Sequence, residues 1–245
     1  MNLLKNGERI DDLQIKNLKI IQNPSWFCFG IDAVLLSDFA YIRRKEKAVD
    51  LGTGTGIIPL LTYAKYNPIE VAGVEIQEEV ADMARRSVAL NSLEDKIKIY
   101  TMDIKNCFEY IGINCYDVVI SNPPYKKIST GLINPKDKKA ISRHEILISL
   151  DELIYSASRL LKVKGRFYMI HRPERLNEII LCLNKNKLVP KRLRFIHPYV
   201  SKSPRMVLIE ASKSGGDFLK IEDPLYVYND DGSYTDEILK IYGRC

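Results

Sequence analysis

A glycine-rich turn near residue 52 constrains the fold of this chain more than any other segment. The stretch from Ala48 to Leu60, AVDLGTGTGIIPL, reads as a short strand, a turn and the start of a helix. Gly52, Gly54 and Gly56 permit backbone angles that other residues avoid, and they let backbone N–H groups approach a ligand at a helix N-terminus. A strand, a glycine turn and a helix in this order predict an α/β sheet with a ligand at its edge.

Two kinds of ligand use such a turn, and the glycine spacing separates them. A dinucleotide turn has the spacing Gly-x-Gly-x-x-Gly, whereas here Gly56 follows Gly54 by two residues. Asp50 lies at the strand end, where its charge would repel a pyrophosphate but can face a cationic amino acid group. The segment therefore favours S-adenosylmethionine over a nicotinamide cofactor, with Asp50, Gly52, Gly54 and Gly56 as cofactor-binding residues.

Three further acidic residues are predicted to bind the cofactor. Glu75 ends a strand over residues 70–75, at the ~20-residue spacing where ribose hydroxyls are bound. Asp103 follows a strand over residues 97–101 and could accept a hydrogen bond from the adenine amine of the cofactor. Asp32 precedes a helical pattern that starts at residue 33. Each has an alternative, since Glu75 could be a solvated loop residue and Asp103 and Asp32 could be helix caps.

A rigid polar motif follows a fourth predicted strand. The β-branched run 117–120, DVVI, predicts a buried parallel strand, and reactive groups lie just beyond the carboxyl ends of such strands. The residues there are Asn122, Pro123, Pro124 and Tyr125. The prolines fix φ and remove two backbone donors, so that carbonyl oxygens face the site as acceptors. With an amide oxygen and a ring, they suit a planar amino group such as a nucleobase amine or a side-chain amide. We predict these four as catalytic residues, with Asn122 also at the cofactor.

A long basic segment comes directly after Tyr125. It is rich in turn residues, and long polar loops beside a site often cover it or contact a partner. The predicted substrate-binding residues are cations that would hold phosphates while a base is read: Lys126, Lys127, Lys136, Lys138, Lys139 and Arg143. The alternative is an ordinary flexible loop with solvated charges.

Composition narrows the class of protein further. The 245 residues are 46% hydrophobic, enough for one substantial core, and the net charge of +6 favours a polyanionic partner such as nucleic acid. The cysteines show no short paired spacing and the histidines no ligand spacing, so we predict no metal. The amino terminus becomes polar too early for a signal peptide, and no apolar run approaches the ~20 residues of a membrane span. We expect a cytoplasmic protein.

The two ends of the chain are predicted to differ from its alternating middle. Residues 18–22 and 26–29 flank an Asn-Pro-Ser turn, which predicts a hairpin in a small N-terminal cap. Near the other end, strands close to residues 191–198 and 205–211 are joined by a turn too short for a parallel crossover, so they must pair antiparallel. A small turn or hairpin and a short helix at residues 235–241 follow.

These segments resemble the class I S-adenosylmethionine-dependent methyltransferases. Within that class, the chain is similar to bacterial enzymes that methylate the exocyclic amine of an anticodon-loop adenine in valine tRNA. The similarity covers nearly the whole chain and rests on the opening pattern 18–36, the cofactor loop 50–56 and the tetrapeptide 122–125. It implies that Glu75 binds the cofactor ribose and that Asp103 binds the adenine edge.

The resemblance implies a Rossmann-like α/β fold, with a mostly parallel twisted sheet that ends in an antiparallel hairpin and helices on both faces. A small β-rich cap over residues 1–30 would precede a methyltransferase domain over residues 31–245. The tetrapeptide is shared with amino methyltransferases that act on DNA, on ribosomal RNA or on a glutamine of release factors, so these substrates stay open, as does a glutamine of a ribosomal protein. A non-catalytic RNA-binding module is a further alternative. This chain has Lys126 where an aromatic residue often follows the tyrosine.

Overall fold

The computed structural model describes residues 3–26, 28–125 and 148–243, which form two sheets and the helices packed on them. In chain order the strands are β1 (Arg9–Asp12), β2 (Lys19–Gln22), β3 (Lys47–Leu51), β4 (Glu70–Glu75), β5 (Ile97–Thr101), β6 (Tyr116–Ser121), β7 (Leu161–His171), β8 (Val189–His197), β9 (Met206–Ser212), β10 (Lys220–Ile221) and β11 (Leu225–Tyr226). The α-helices are α1 (Ile31–Phe39), α2 (Ile57–Tyr66), α3 (Glu78–Leu90), α4 (Cys107–Ile111), α5 (Leu150–Leu160), α6 (Leu176–Lys185) and α7 (Asp236–Ile241), with 3-10 turns at Ile104–Asn106 and Pro173–Arg175.

The main sheet has the strand order β10-β8-β9-β7-β6-β3-β4-β5, and β11 also pairs with β8. Strands β3 to β7 run parallel, whereas β9 is antiparallel to both β7 and β8. The chain places β4 and β5 on one side of β3 and then returns to place β6 and β7 on the other. In such sheets ligands bind beyond the carboxyl ends of the strands where the order reverses, which here lies between β3 and β6.

Helices cover both faces of this sheet because side chains alternate between the faces along each strand. On β3, Ala48 belongs to one buried cluster and Val49 to the other. The first cluster includes side chains of α1, α2 and α3, and the second includes side chains of α4, α5 and α6. The central strands are therefore buried on both sides, which explains why they read as continuous apolar runs.

The N-terminal hairpin forms between different segments from those predicted. β2 pairs antiparallel with β1, so the predicted pairing of residues 18–22 with residues 26–29 is wrong. Residues 23–26 instead form a turn, in which the Trp26 N–H donates to the Asn23 carbonyl oxygen at 3.0 Å. This turn directs the chain toward α1.

The hairpin is attached to α3 by buried and partly buried polar contacts. Both Nη atoms of Arg86 donate to the Glu8 carboxylate, at 2.6 and 2.7 Å. The Ile21 N–H donates to the Ser87 hydroxyl at 2.9 Å. The segment thus packs on the main sheet's helices, and a separate cap that ends at residue 30 stays a prediction.

The carboxyl-terminal region extends one edge of the sheet. β8 and β9 pair antiparallel, which confirms the prediction from their short connection. The two-residue strands β10 and β11 pair parallel with the other side of β8, and the sequence analysis predicts neither of these pairings. A bridge between Tyr228 and Tyr234 closes the tail turn, and the Thr235 hydroxyl caps α7 by accepting the Ile238 N–H.

Candidate active site

The turn after β3 is compact because its three glycines adopt positive φ angles. Gly52, Gly54 and Gly56 have φ values of 78°, 56° and 86°, in the region that favours glycine. The N–H groups of Gly52 and Thr53 both donate to the Val74 carbonyl oxygen at 2.9 Å, which ties the turn to β4. Helix α2 begins directly after Gly56.

Two of these glycines have different surroundings. A Cβ atom at Gly56 would lie 3.2 Å from the Ala84 Cβ of α3, so this glycine permits close helix packing. A Cβ atom at Gly54 would meet no atom of the described residues within 4 Å. The open side of the turn is therefore at Gly54, where a ligand can approach the backbone closely.

Glu75 ends β4 and supports the turn. The residue is 7% exposed, its Oε2 accepts the Gly54 N–H at 3.1 Å, and its Oε1 accepts the Gln77 N–H at 3.0 Å. The alternative of a solvated loop glutamate is therefore wrong. Oε1 also accepts from the Gln77 side-chain amide at 3.4 Å, so the lone pair that a ligand hydroxyl can use is the second one of Oε2.

Asp50 is buried at the end of β3, with 1% of its surface exposed. Neither of its carboxylate oxygens has a hydrogen-bond partner among the described residues, and the same holds for the hydroxyls of Thr53 and Thr55. Buried polar groups are normally paired, so these side chains fit a turn that receives a polar ligand. Burial raises the pKa of Asp50 to about 7; the neighbouring Thr53 hydroxyl opposes this rise, and the Glu75 carboxylate adds to it.

Asp103 follows β5 and caps the next 3-10 turn. Its Oδ1 accepts the Lys105 N–H at 2.9 Å, so the helix-cap alternative is present in the structure. The other carboxylate oxygen makes no hydrogen bond within the described residues. A contact between that oxygen and an adenine amine stays a prediction.

β6 brings the motif of residues 122–125 to the same edge as the glycine turn. Ser121, the last residue of β6, donates its hydroxyl to the Leu51 carbonyl oxygen at the end of β3, at 2.7 Å. Pro123 is buried, and Asn122 is half-buried. No hydrogen bond to the Pro123 carbonyl oxygen is present among the described residues. A buried hydrogen bond thus links the two strand ends, through a serine that the sequence analysis did not single out.

The Tyr125 hydroxyl lies between two acceptors. It is 2.6 Å from Asp32 Oδ2 and 2.5 Å from Asn122 Oδ1. A hydroxyl has one proton, so it donates to one of these acceptors at a time. Burial, and then the Asp32 carboxylate, raise the pKa of Tyr125 well above its usual value, and the hydroxyl therefore keeps its proton at neutral pH.

Asp32 does not cap α1, which corrects the structural alternative from the sequence. The helix begins at Ile31, so Gly30 takes the cap position, and Asp32 lies in the first turn with its Oδ1 accepting the Ala33 N–H at 3.0 Å. Its carboxylate contacts Tyr125. The structure thus places Asp32 against the aromatic part of the site, and direct cofactor binding by this residue stays a prediction.

Two residues beside the Tyr125 ring were missed by the sequence analysis. His171, the last residue of β7, is fully buried, and its ring centroid lies 5.3 Å from that of Tyr125. Its Nδ1 accepts the Arg172 N–H at 2.7 Å, and burial, followed by the charge of Arg175, lowers the pKa of His171 to about 4. The imidazole is therefore neutral at pH 7. The Arg172 guanidinium carbon lies 5.3 Å from the Tyr125 ring centroid, within the range of a cation–π interaction.

The predicted basic rim lies outside the described residues. This applies to all of its predicted substrate-binding cations: Lys126, Lys127, Lys136, Lys138, Lys139 and Arg143. Their role stays a prediction. Within the described ranges, no cluster of His, Cys, Asp and Glu side chains could hold a metal ion. No helix in those ranges is long and apolar enough to cross a membrane.

A parallel sheet whose strand order reverses, a glycine turn after β3 and an Asn-Pro-Pro-Tyr motif after the neighbouring β6 define the class I methyltransferase arrangement. The family model described as the methyltransferase small domain matches residues 17–184, and the chain belongs to this family.

Known proteins agree with this assignment. A tRNA1(Val) (adenine(37)-N6)-methyltransferase of Porphyromonas gingivalis is 30% identical over 239 residues, which cover 94% of this chain and 93% of the relative. A solved structure of a predicted O-methyltransferase from Agrobacterium tumefaciens has a TM-score of 0.71 at 24% identity, covering 87% of this chain and 97% of that one. A geranyl diphosphate methyltransferase in complex with SAM has a TM-score of 0.57 at 14% identity, covering 75% and 85%. At these identities the two structures show the fold alone. The predicted family and fold class are confirmed.

Proposed function

We propose that this chain is an S-adenosylmethionine-dependent methyltransferase that acts on the exocyclic amine of an adenine in tRNA. The observation that carries the proposal is that Asn122 and Pro123 lie beside the glycine turn, beyond the carboxyl ends of two neighbouring strands. The name of the Porphyromonas gingivalis relative supports tRNA adenine as the substrate. The net charge of +6 agrees with a polyanionic partner, and the cytoplasm is where such a partner would be met.

The residues around the glycine turn would hold the cofactor. The unpaired buried oxygens of Asp50 and Thr53 suit its charged amino acid end, and the open backbone at Gly54 permits close approach. The lone pair left on Glu75 Oε2 suits a ribose hydroxyl. When bound, the cofactor supplies a methyl group on a sulfonium, which is already strongly electrophilic. The chain then has to position the amine that receives it.

Asn122 and Pro123 would position that amine. An adenine amine is a weak nucleophile because its lone pair is delocalised into the ring. The Asn122 Oδ1 and the Pro123 carbonyl oxygen can each accept one amine hydrogen, which localises the lone pair and points it at the methyl carbon at ~3 Å. No base has to act before transfer, because the proton leaves a product that is already cationic.

Tyr125 would provide a stacking surface for a base that is flipped out of the RNA stack. The Asn122 oxygen has two lone pairs, so it can keep the tyrosine hydrogen bond while it accepts from the amine. Stacking on an aromatic ring contributes roughly 1–3 kcal/mol per base and tolerates different bases. Tyr125 therefore orients the base, whereas Asn122 and Pro123 select for an amine.

Methyl-labelled cofactor provides the test. The purified protein is incubated in turn with unmodified total tRNA, ribosomal RNA, duplex DNA and a release factor, and Asn122→Ala protein is run in parallel to detect contaminating enzymes. We expect label in tRNA that is released by digestion as an N6-methylated adenosine. Label found only in protein would contradict the proposal, since a glutamine amide suits the same acceptors. Label only in ribosomal RNA or DNA would contradict the choice of nucleic acid.

A further inference from the structure

A second group of cations lies at the site edge of the sheet, and the proposed mechanism assigns it no role. β8 runs parallel to β6 and β7, because it pairs antiparallel with β9, which itself is antiparallel to β7. The loop of residues 198–205, termed the β8–β9 loop, therefore emerges at the same edge as Asn122. Lys202 and Arg205 in this loop are exposed, as is Arg172 directly after β7.

Arg172 connects this loop with the stacking ring. Its Nη1 donates to the Arg205 carbonyl oxygen at 3.1 Å, and its guanidinium carbon lies 5.3 Å from the Tyr125 ring centroid. One side chain thus contacts both the β8–β9 loop and the residue on which a base would stack. The three cations form a surface that begins at Tyr125 and continues onto the loop.

These cations are not used in ion pairs within the part of the chain that the structure describes. Arg192 and Arg194 on the adjoining strand β8 pair with Glu210 and Glu237, at 2.8 Å in each case. Among the described residues, no carboxylate forms an ion pair with the side chain of Arg172, Lys202 or Arg205. Exposed cations without a carboxylate partner are available to neutralise phosphates.

Backbone contacts fix the shape of the β8–β9 loop. The Nδ1–H of His197 donates to the Lys202 carbonyl oxygen at 2.7 Å, and the Lys202 N–H donates to the Tyr199 carbonyl oxygen at 3.1 Å. The Arg205 N–H donates to the Ile196 carbonyl oxygen at 2.8 Å. A loop already held in one conformation loses less entropy when it binds a ligand.

A row of tyrosine rings supports the start of the same loop. The Tyr199 ring lies 5.5 Å from that of Tyr228, and the row continues through Tyr234 to Tyr242, with centroid distances of 5.4 and 5.8 Å. Because these rings pack on one another, they act as structural support. The Asp230 and Asp231 turn follows Tyr228, and its negative charge limits the cationic surface in that direction.

We propose that Arg172, Lys202 and Arg205 form a phosphate-binding surface for the RNA strand that flanks the target nucleotide. The inference rests on the proposed function and adds to the basic rim of residues 126–143 a second group of contacts on another part of the fold. RNA is favoured over an acidic peptide because the surface begins at the ring on which a base stacks. Phosphate contacts of this kind set the position of the strand and carry no base specificity.

The test compares two double variants with the same change of charge. Lys202→Gln with Arg205→Gln alters the surface, whereas Arg44→Gln with Lys45→Gln alters exposed cations just before β3, at the opposite edge of the sheet. Fluorescence anisotropy measures the affinity for a labelled, unmodified anticodon stem-loop RNA across a range of salt concentrations. Calorimetry measures the affinity for S-adenosylmethionine.

We expect the loop variant to bind RNA about 10-fold more weakly, and the slope of log affinity against log salt to fall by about 1.5–2. The control variant should keep the wild-type slope, and both should keep wild-type cofactor affinity. An unchanged slope in the loop variant, or an equal loss in the control, would overturn the proposal.

The two proposals can fail separately. If the wild-type protein binds the RNA with the expected loss in the loop variant but methylates no nucleic acid, the proposed function fails and the surface stands. If the wild-type protein methylates tRNA while the loop variant keeps the wild-type slope, the function stands and the surface fails. In the methylation assay, the surface predicts a higher KM for tRNA with kcat within about twofold at saturating RNA, because the loop does not contact the reacting atoms.

Discussion

The two halves of the candidate site differ in how their buried polar groups are satisfied. At the glycine turn, the Asp50 carboxylate and the Thr53 and Thr55 hydroxyls have no partner among the described residues. After β6, by contrast, the Tyr125 hydroxyl contacts both Asp32 and Asn122. In the first half a ligand can complete these hydrogen bonds. In the second half the Tyr125 hydroxyl already uses the acceptor that an amine would need, although the buried Nε2 of the adjacent His171 has no partner among the described residues.

This difference separates what each half contributes. A ligand at the glycine turn gains hydrogen bonds without breaking any, so residues there should control cofactor affinity. An amine at Asn122 must share an acceptor that Tyr125 already uses, so the amine gains less binding energy. The hydrogen bonds to the amine contribute most if they strengthen during methyl transfer, and the residues after β6 should therefore control turnover.

Asn122→Ala should have the largest effect. Loss of one positioned amine acceptor is expected to lower kcat by about 10²–10³, by analogy with the removal of one group that stabilises a transition state. Cofactor affinity should fall far less than turnover, because the glycine turn, which supplies most of the predicted cofactor contacts, is intact. Single-turnover methylation with saturating cofactor and RNA measures the first, and calorimetry the second. Asn184→Ala, at an exposed position on α6, is the matched control. Near-normal turnover of the Asn122 variant would show that the amine is held elsewhere.

Asp50→Asn should chiefly weaken cofactor binding. The amide keeps the shape of the carboxylate but cannot carry the charge that faces a cationic amino group, so we expect a Kd about 10–100-fold higher. In the wild-type protein, affinity should improve as the pH rises through about 7, because the buried carboxyl ionises in that range. Calorimetric titrations between pH 6 and about pH 8.5 cover this transition. A pH-independent affinity would show that the Asp50 charge plays no part.

The same substitution should raise the free energy of unfolding of the ligand-free protein. Because the folded pKa of Asp50 is above its ordinary value of 3.8, the folded state binds more protons than the unfolded state, and stability falls as the pH rises from about 4 to about 7. Asp50→Asn removes this loss. The variant should be more stable than wild type by roughly 1–3 kcal/mol at pH 8 and show no such gain below pH 4, measured by urea unfolding. Equal stability at pH 8 would contradict the burial of an ionisable carboxyl.

Gly54→Ala should have a smaller effect that is specific to the open side of the turn. Gly54 and Gly232 both have positive φ angles, 56° and 84°, and a Cβ atom at either would meet no described atom within 4 Å. Alanine at each position should therefore cost a similar ~1 kcal/mol of backbone strain in thermal unfolding. Only Gly54→Ala should weaken cofactor binding, by about 10-fold, because its methyl group would enter the space of the ligand. An equal effect of both variants on cofactor affinity would show that Gly54 is needed only for the backbone conformation of the turn.

Local signals predicted most of the framework and the glycine half of the site. The sequence predicts β4 with the bounds that the structure shows, because a short apolar run between Glu70 and Glu75 can be recognised from adjacent residues alone. The glycine turn and the antiparallel pairing of β8 with β9 can likewise be predicted from residues that are close in sequence. The hairpin was mispredicted because β1, with the sequence RIDD and only one of its four residues even partly buried, has no apolar alternation.

The surroundings of Tyr125 could not be predicted in the same way, because they depend on strand order. Arg172 and His171 reach Tyr125 only because β7 lies next to β6, and their sequence separation gives no indication of this. The sequence around Asp32 indicates only a helix start, yet its partner Tyr125 lies 93 residues further along the chain. By contrast, the contact between the Tyr125 hydroxyl and Asn122 joins residues only three apart in the chain.

Tyr125→Phe should have the smallest effect and gives the sharpest test of the comparison. The substitution removes the hydroxyl that contacts Asn122 but keeps the ring. The Asn122 oxygen would then have no tyrosine partner, like the unpaired oxygens at the glycine turn. If the hydroxyl only orients Asn122, kcat should change by less than about 5-fold, the size expected for one neutral hydrogen bond. Tyr125→Leu, which also removes the ring, should weaken RNA binding by about 10-fold or more through lost stacking. Should the phenylalanine variant lose as much turnover as Asn122→Ala, the hydroxyl would be required for methyl transfer, and the closed hydrogen bonds would be part of the active arrangement.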